Sequence, residues 1–253
     1  MTVSRKLEPE RIQKVLANAG LGSRREIEGW IREGRVQING RAAVPGDRIG
    51  RKDKIRIDGR DIHLEKAVPD KTRVLAYYKP AGEVCSRRDE KGRKSVFDRL
   101  PKLKRGRWIN IGRLDINSIG LLLFTNNGEL ANRCMHPSRR MEREYAVRVM
   151  GEATKEQLDN LRRGVQLEDG TARFTDIVDS GGKGSNHWYH VVIMEGRNRE
   201  VRRLWESQGL TVSRLMRVRY GPYILPRRKR PGEFWDLEES DVKALMEEVG
   251  LKD

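Results

Sequence analysis

Apolar residues recur along this chain in two rhythms, and each change of rhythm marks a new element. Ile12, Val15, Leu16 and Ala19 fall at i, i+3, i+4 and i+7, the stripe of one helix face, which Gly20 ends. Ser23-Arg24-Arg25-Glu26 reads as a capping box opening a second helix. Ile27, Trp30 and Ile31 form the apolar face of that helix, and Gly34 suits a left-handed end. The period then falls to two. Val36 and Ile38 lead into Asn39-Gly40, a type I′ hairpin pair, and Pro45-Gly46-Asp47 marks a further turn. Ile55 and Ile57, Asp58-Gly59, then Ile62 and Leu64 predict a second hairpin. This α-α-β block spans 8–66, and an aperiodic linker with a proline follows at 67–72.

From 73 onward strands and helices mix without a regular alternation. Strands are expected near 74–78, 108–111, 121–125, 142–150, 165–167, 171–177, 188–194 and 212–220. The strand at 142–150 puts Tyr145, Val147 and Val149 on one face. In the last strand Arg217 and Arg219 lie opposite Met216 and Val218. Helices are expected from Asn127 to a stop at His136-Pro137, from the capping box Thr154-Lys155-Glu156-Gln157 to Gly164, over 198–208, and from Ser240 onward. The fold class expected is α+β, with a small N-terminal domain and a mixed-sheet domain over 73–253 that ends in a helix.

Charge changes the picture. The 253 residues carry 53 Lys+Arg against 37 Asp+Glu, a formal net charge of +16, which suggests a polyanionic partner. The stretch 85–107 is aperiodic and basic, with Arg87, Arg88, Lys91, Arg93, Lys94, Arg99, Lys102, Lys104, Arg105 and Arg107, and reads as a phosphate-contacting arm. Arg227 to Arg230 form a second basic run in a loop. The longest apolar run, 119–124, is far short of the ~20 residues of a membrane span, and no leader pattern opens the chain. Two cysteines, Cys85 and Cys134, offer no disulfide framework, so a reducing cytoplasm is expected. Neither zinc-ligand spacing nor a phosphate-cradling glycine motif occurs, so no metal or cofactor is indicated.

In the first block Lys14, Arg24, Arg25 and Arg35 surround the two helices, with Arg24 and Arg25 in a first helical turn whose N–H groups favour anions. The segments Arg11-Ile12-Gln13-Lys14-Val15-Leu16, Gly22-Ser23-Arg24-Arg25-Glu26, Gly34-Arg35-Val36 and Asn39-Gly40 make the block resemble the S4 RNA-binding domain. The resemblance implies that the two helices and the following turn clasp structured RNA.

Three residues are candidates for chemistry. Asp115 sits in a short segment between two strands, bracketed by Gly112 and Gly120; the plain reading is a turn aspartate. Tyr145 lies on an apolar strand face, where a buried phenol needs a partner. Arg202 flanks the apolar stripe of its helix, from where it could reach a carboxylate. Gly112-Arg113-Leu114-Asp115, followed by Gly120-Leu121-Leu122-Leu123-Phe124-Thr125, resembles the catalytic motif of the RsuA/RluB group of pseudouridine synthases. Glu144-Tyr145 and Gly196-Arg197-Asn198-Arg199-Glu200-Val201-Arg202 are similar to the group's second and third motifs. Within the group, His136-Pro137-Ser138 and the residues around the second and third motifs look most like the branch acting on large-subunit ribosomal RNA. Members of that branch can carry a long basic tail, whereas this sequence ends at Asp253.

The resemblance implies a mixed-sheet catalytic domain with a central cleft, and a cofactor-free isomerisation of uridine. Asp115 would be the essential carboxylate, as nucleophile or as base; Tyr145 would stack on the base and help remove the C5 proton; Arg202 would pair with Asp115. Arg113 would fill the space of the extruded base, and Lys14, Ser23, Arg24, Arg25, Arg35, Arg197 and Arg199 would contact RNA. The expected partner is a ribosomal RNA stem-loop, acted on by a monomer with no membrane. A small-subunit target, a nucleic-acid glycosidase and a non-catalytic S4-type ribosome-assembly protein remain as alternatives.

Overall fold

The computed structural model describes residues 9–50, 52–64, 69, 71–87 and 89–252. Positions 67, 68 and 70 of the expected linker, and Arg88, lie outside the described residues. The chain divides into two compact units: one runs up to Thr72 and includes Lys102–Ile109 and Asn126–Gly128; the other comprises Arg73–Pro101, Asn110–Thr125 and everything from Glu129 on. The basic stretch read as one arm is therefore split, with Lys102, Lys104, Arg105 and Arg107 in the first unit.

The first unit contains β1 (Glu10–Arg11), α1 (Ile12–Asn18), α2 (Arg24–Arg32), β2 (Val36–Ile38), β3 (Arg41–Ala42), β4 (Arg48–Ile49), β5 (Ile55–Ile57) and β6 (Arg60–Ile62). The four-stranded sheet runs β3-β2-β5-β6. Ser23 Oγ accepts from Glu26 N at 3.1 Å, and the Glu26 carboxylate accepts from Ser23 N at 2.7 Å, so the capping box is complete. Asn39-Gly40 and Asp58-Gly59 have positive φ at both positions, the twist that two-residue hairpins require. Ile12, Leu16, Ile27, Ile31, Val36, Ile38, Ile55 and Ile57 meet in one core. The two-residue ladder of β1 with β4 was not foreseen, being too short to show a period.

The second unit is built on a sheet of order β13-β14-β10-β15-β9-β7-β17, with β8 and β16 adding beside β9 and β15. In chain order its elements are β7 (Val74–Lys79), β8 (Ile109–Ile111), β9 (Ile119–Thr125), α3 (Gly128–Met135), β10 (Arg143–Met150), α4 (Lys155–Arg163), β11 (Val165–Leu167), β12 (Gly170–Ala172), β13 (Asp176–Lys183), β14 (Asn186–Ile193), α5 (Glu200–Glu206), β15 (Thr211–Tyr220), β16 (Tyr223–Ile224), β17 (Phe234–Asp236) and α6 (Glu239–Glu248). Most pairs are antiparallel, while β15 and β9 run parallel. Every residue of β9 is buried, as expected of a central strand covered on both faces. Trp205 of α5 packs on Tyr189 of β14, ring centroids 4.9 Å apart, and on Phe174 at 5.8 Å. These contacts fix α5 against the sheet.

One register line crosses six strands. Ile177 faces Val191, Val191 faces Tyr145, Tyr145 faces Arg217, Arg217 faces Gly120, and Gly120 faces Lys79. Paired residues put their side chains on one face of a sheet, so Tyr145, Arg217 and Lys79 share a face. Gly120 is required at the centre of this line. Its φ is +106°, and a Cβ there would lie 2.3 Å from the Arg217 carbonyl oxygen.

Candidate active site

Asp115 sits on the loop that joins β8 to β9, and buried donors hold that loop through its backbone. Lys79 is fully buried, and its Nζ donates to the carbonyls of Ser118 at 2.9 Å, Ile116 at 3.3 Å and Pro80 at 2.9 Å. Arg217 is 1% exposed; its Nε donates to Leu121 O at 2.7 Å and its Nη1 reaches Arg113 O at 3.5 Å. Cys85 Sγ lies 3.4 Å from Leu114 N and 3.3 Å from Leu114 O. Gly82 N donates to Ile116 O, and Ser118 N closes a turn onto Asp115 O at 3.0 Å. The carbonyls of residues 113, 114, 116 and 118 are thus all engaged. A buried cation surrounded by carbonyl dipoles stays satisfied without an acidic partner. Burial lowers the affinity of Lys79 for its proton, and the charges of Cys85, Glu83 and Asp115 oppose that shift.

The Asp115 side chain is half-buried and accepts no hydrogen bond among the described residues. Its charge nevertheless reaches Arg202, on α5. Burial holds the Arg202 guanidinium below its ordinary pKa, Arg199 adds to the effect, and Asp115 and Glu206 work against it. Arg202 is 8% exposed, rather than lying at a solvent-side flank. Its Nη1 donates to Val212 O at 2.9 Å, while its Nε is buried with no partner among the described residues. No direct ion pair joins Arg202 to Asp115 there. The two interact through space, and of the guanidinium nitrogens only Nη1 makes a hydrogen bond among the described residues.

Tyr145 is 7% exposed, in register between Val191 and Arg217. Its hydroxyl makes no hydrogen bond among the described residues, contrary to the partner expected for a buried phenol. Within β15 Arg217 is buried, whereas Met216 and Val218 on the opposite face are half-buried, a difference the sequence reading did not address. Leu215 and Arg217 share the buried parity, and that alternation is the signal that could have revealed the arginine. Lys79 gave a weaker sign, closing the apolar run of β7. Arg143 was missed as well. It is buried, and its Nη1 donates to the carbonyls of Met141, Met194 and Glu195, which secures the turn leading to Gly196-Arg197. Arg143 and Arg217 both lie near the buried Tyr220 ring, 5.1 and 5.0 Å from its centroid.

On the sheet beside Tyr145, Glu144 accepts from Arg219 Nε at 2.9 Å and meets His190 Nδ1 at 2.8 Å. Burial alone would raise the Glu144 carboxyl, but these two hydrogen bonds and the charges of Arg219 and His190 together outweigh it, and the net shift is downward.

The proposed RNA contacts fall in different settings. Arg113 is exposed, with its carbonyl held and its guanidinium in no ion pair among the described residues. Arg24 and Arg25 are exposed in the first turn of α2. Arg35 is held in a bidentate pair with Asp58 at 2.8 Å and also meets Glu33. Lys14 pairs with Glu10. Arg197 spends its donors on Glu195 and on the carbonyls of Asp169, Gly170 and Thr171, securing the β11–β12 hairpin. Arg199 has φ +49° at the start of α5 and lies 3.5 Å from Glu206. Glu152, Asp179 and His187 gather ligand atoms within 4.8 Å of one another; His187 Nε2 meets Asp179 Oδ1 at 2.6 Å.

The RNA pseudouridylate synthase family model matches residues 73–207, and the S4 domain model matches residues 10–55. The chain belongs to the RNA pseudouridylate synthase family. It is 59% identical over 244 residues to ribosomal large subunit pseudouridine synthase B of Pseudomonas aeruginosa, covering 96% of this chain and 63% of that protein. The protein of that name from Escherichia coli K12 is 57% identical over 244 residues, with 96% of this chain and 84% of that protein covered. A crystal structure of a pseudouridylate synthase shares the fold, with a TM-score of 0.64 at 22% identity over 93% of this chain and 99% of that chain. No helix among the described residues is long and apolar enough to cross a membrane.

Proposed function

We propose that this protein isomerises a specific uridine, in a stem-loop of large-subunit (23S) ribosomal RNA, to pseudouridine. The observation that carries this reading is a half-buried aspartate without a hydrogen-bond partner among the described residues, on a loop fixed by buried cations, in a family of RNA pseudouridylate synthases. In the reaction the C1′–N1 bond breaks, the uracil turns, C1′ bonds to C5, the C5 proton leaves and N1 gains one. No redox change occurs.

Asp115 acts as nucleophile or base, and its uncommitted oxygens suit either role. Tyr145 stacks on the turned base, and its unbonded hydroxyl stands available to the C5 proton. The target must leave its stack to reach a half-buried carboxylate, at a cost of a few kcal/mol. The exposed Arg113, next but one to Asp115, occupies the gap. The S4 unit, with Ser23 shaping the start of α2 and Arg24 and Arg25 exposed there, supplies affinity for folded RNA. A ribosomal substrate places the protein in the cytoplasm.

The test is tritium release from transcripts labelled at uridine C5. Release from large-subunit RNA alone supports the reading. Release from small-subunit RNA alone keeps the chemistry and changes the target. Free uracil as product would make the protein a glycosidase. Tight binding with no release from naked or partly assembled subunits would leave an RNA-binding assembly protein.

A further inference from the structure

We infer that the loop between β16 and β17, residues 225–232, is a phosphate-contacting finger that holds the RNA strand flanking the target nucleotide. The inference rests on the RNA-modifying function proposed above.

The loop reads Leu225-Pro226-Arg227-Arg228-Lys229-Arg230-Pro231-Gly232, four consecutive cations between two prolines. It is ordered by its own backbone. Lys229 N donates to Pro226 O, and Glu233 N donates to Arg230 O, both at 3.1 Å, so two turns follow end to end. Lys229 is the structural cation: its Nζ lies 4.8 Å from the centroid of the Trp235 ring, and the Trp235 indole N–H donates to Tyr223 Oη at 2.8 Å. Arg227, Arg228 and Arg230 are exposed and form no ion pair among the described residues. Arg99 joins them from another segment of the same unit. It is exposed, and its guanidinium lies 3.3 Å from where a Cβ on Gly232 would stand.

Both ends of the loop are tied beside the register line that supports Asp115. Leu225 N donates to Val218 O at 2.7 Å, one residue beyond Arg217. Gly232 N donates to Tyr78 O at 2.7 Å, one residue before Lys79. Arg217 and Lys79 are the two cations that hold the Asp115 loop. The loop thus starts and ends next to the strands that position Asp115, and carries its arginines from there.

The buried Lys79, Arg143, Arg202 and Arg217 of this unit each donate to the protein's own carbonyls, and the half-buried Arg197 donates to carbonyls and to Glu195. The loop arginines differ in having no internal partner among the described residues. Clustered like charges repel one another, and a polyanion relieves that repulsion. Guanidinium forks match phosphate oxygens in pairs. The loop offers several such forks, whereas a lone mononucleotide would need few.

The test measures binding of an in vitro transcript of large-subunit ribosomal RNA across a salt series. The variants are a triple R227Q/R228Q/R230Q, a charge-keeping triple R227K/R228K/R230K, and a charge-matched control K155Q/K183Q/K243Q elsewhere on the unit. Each phosphate contact contributes roughly 0.7–0.9 to the slope of log affinity against log salt. The glutamine triple should flatten that slope by about 2–3, the lysine triple should keep most of it, and the control should keep all of it. An unchanged slope in the glutamine triple, or equal flattening in the control, overturns the proposal. Unaltered melting temperatures keep the comparison one of folded proteins, and single substitutions replace the triple if it does not fold. Tritium release by the unaltered protein is measured in parallel. If it fails while the loop still shapes the salt slope, the isomerase reading falls and the RNA contact stands.

Discussion

Lys79 and Arg217 are buried cations on strands that flank β9 on either side, and they grip opposite ends of the loop that carries Asp115. Neither has an acidic partner among its hydrogen bonds. Both donate to main-chain carbonyls, which fixes backbone, although Nη2 of Arg217 is buried without a partner among the described residues. Lys79→Met keeps the length of the side chain and removes its three hydrogen bonds. The buried carbonyls of Ile116 and Ser118 then lose a donor. The expected loss of stability is about 2–4 kcal/mol, read by urea unfolding. Tritium release should fall by more than RNA affinity, because the loop loosens while the RNA-binding surface is untouched. An unchanged unfolding midpoint would show that this grip contributes nothing.

Asp115→Asn tests the carboxylate directly. The side chain is nearly isosteric and half-buried, and no hydrogen bond to it is lost, so the fold should hold within roughly 0.5 kcal/mol. Turnover should fall by at least about a thousandfold, since an amide can act neither as nucleophile nor as base. RNA affinity should stay within a few-fold. Single-turnover assays and a binding titration separate the two effects.

Two glycines should respond in opposite directions to alanine. Gly120→Ala drives a Cβ into the Arg217 backbone at a φ that alanine avoids, and should destabilise by more than about 3 kcal/mol. Gly29 lies inside α2, with nothing within 4 Å of where a Cβ would stand. Gly29→Ala should therefore stabilise the S4 unit by roughly 0.5–1 kcal/mol. Thermal melts of the two variants give the contrast.

The thiols should be inert in the folded protein. Burial pushes the Cys134 thiol up to about 12, and Arg143 opposes only part of that shift. Burial raises Cys85 as well, against weaker effects from Leu114 N and the cations around it. A raised thiol pKa means less thiolate at any pH below it. At pH 8 neither cysteine should react quickly with a disulfide reagent, and both should react on unfolding. Rapid labelling of Cys134 in the native state would contradict its burial.

The S4 unit was legible almost residue by residue, because its signals are local. A capping box needs four consecutive residues, and a hairpin turn needs two with positive φ. Much of the second unit's element order was readable for the same reason. Its edges were not: the segment expected as one strand over 171–177 is β12 and the start of β13, and β16 and β17 gave no signal. Strands of two or three residues owe their existence to partners supplied from elsewhere in the chain.

The candidate site divides along the same line. The sequence by itself determined which residue types stand beside Asp115, and that a tyrosine and an arginine accompany it in separate segments. Only the tertiary structure decided how they meet. It aligned Tyr145, Arg217, Gly120 and Lys79 across adjacent strands, left Arg202 uncoupled from direct pairing, and turned Arg143, Arg197 and Arg217 inward onto backbone carbonyls. The reason is physical. Whether a cation faces solvent or a buried carbonyl depends on groups distant in the chain, and strand register is a relation between segments that neither segment contains alone.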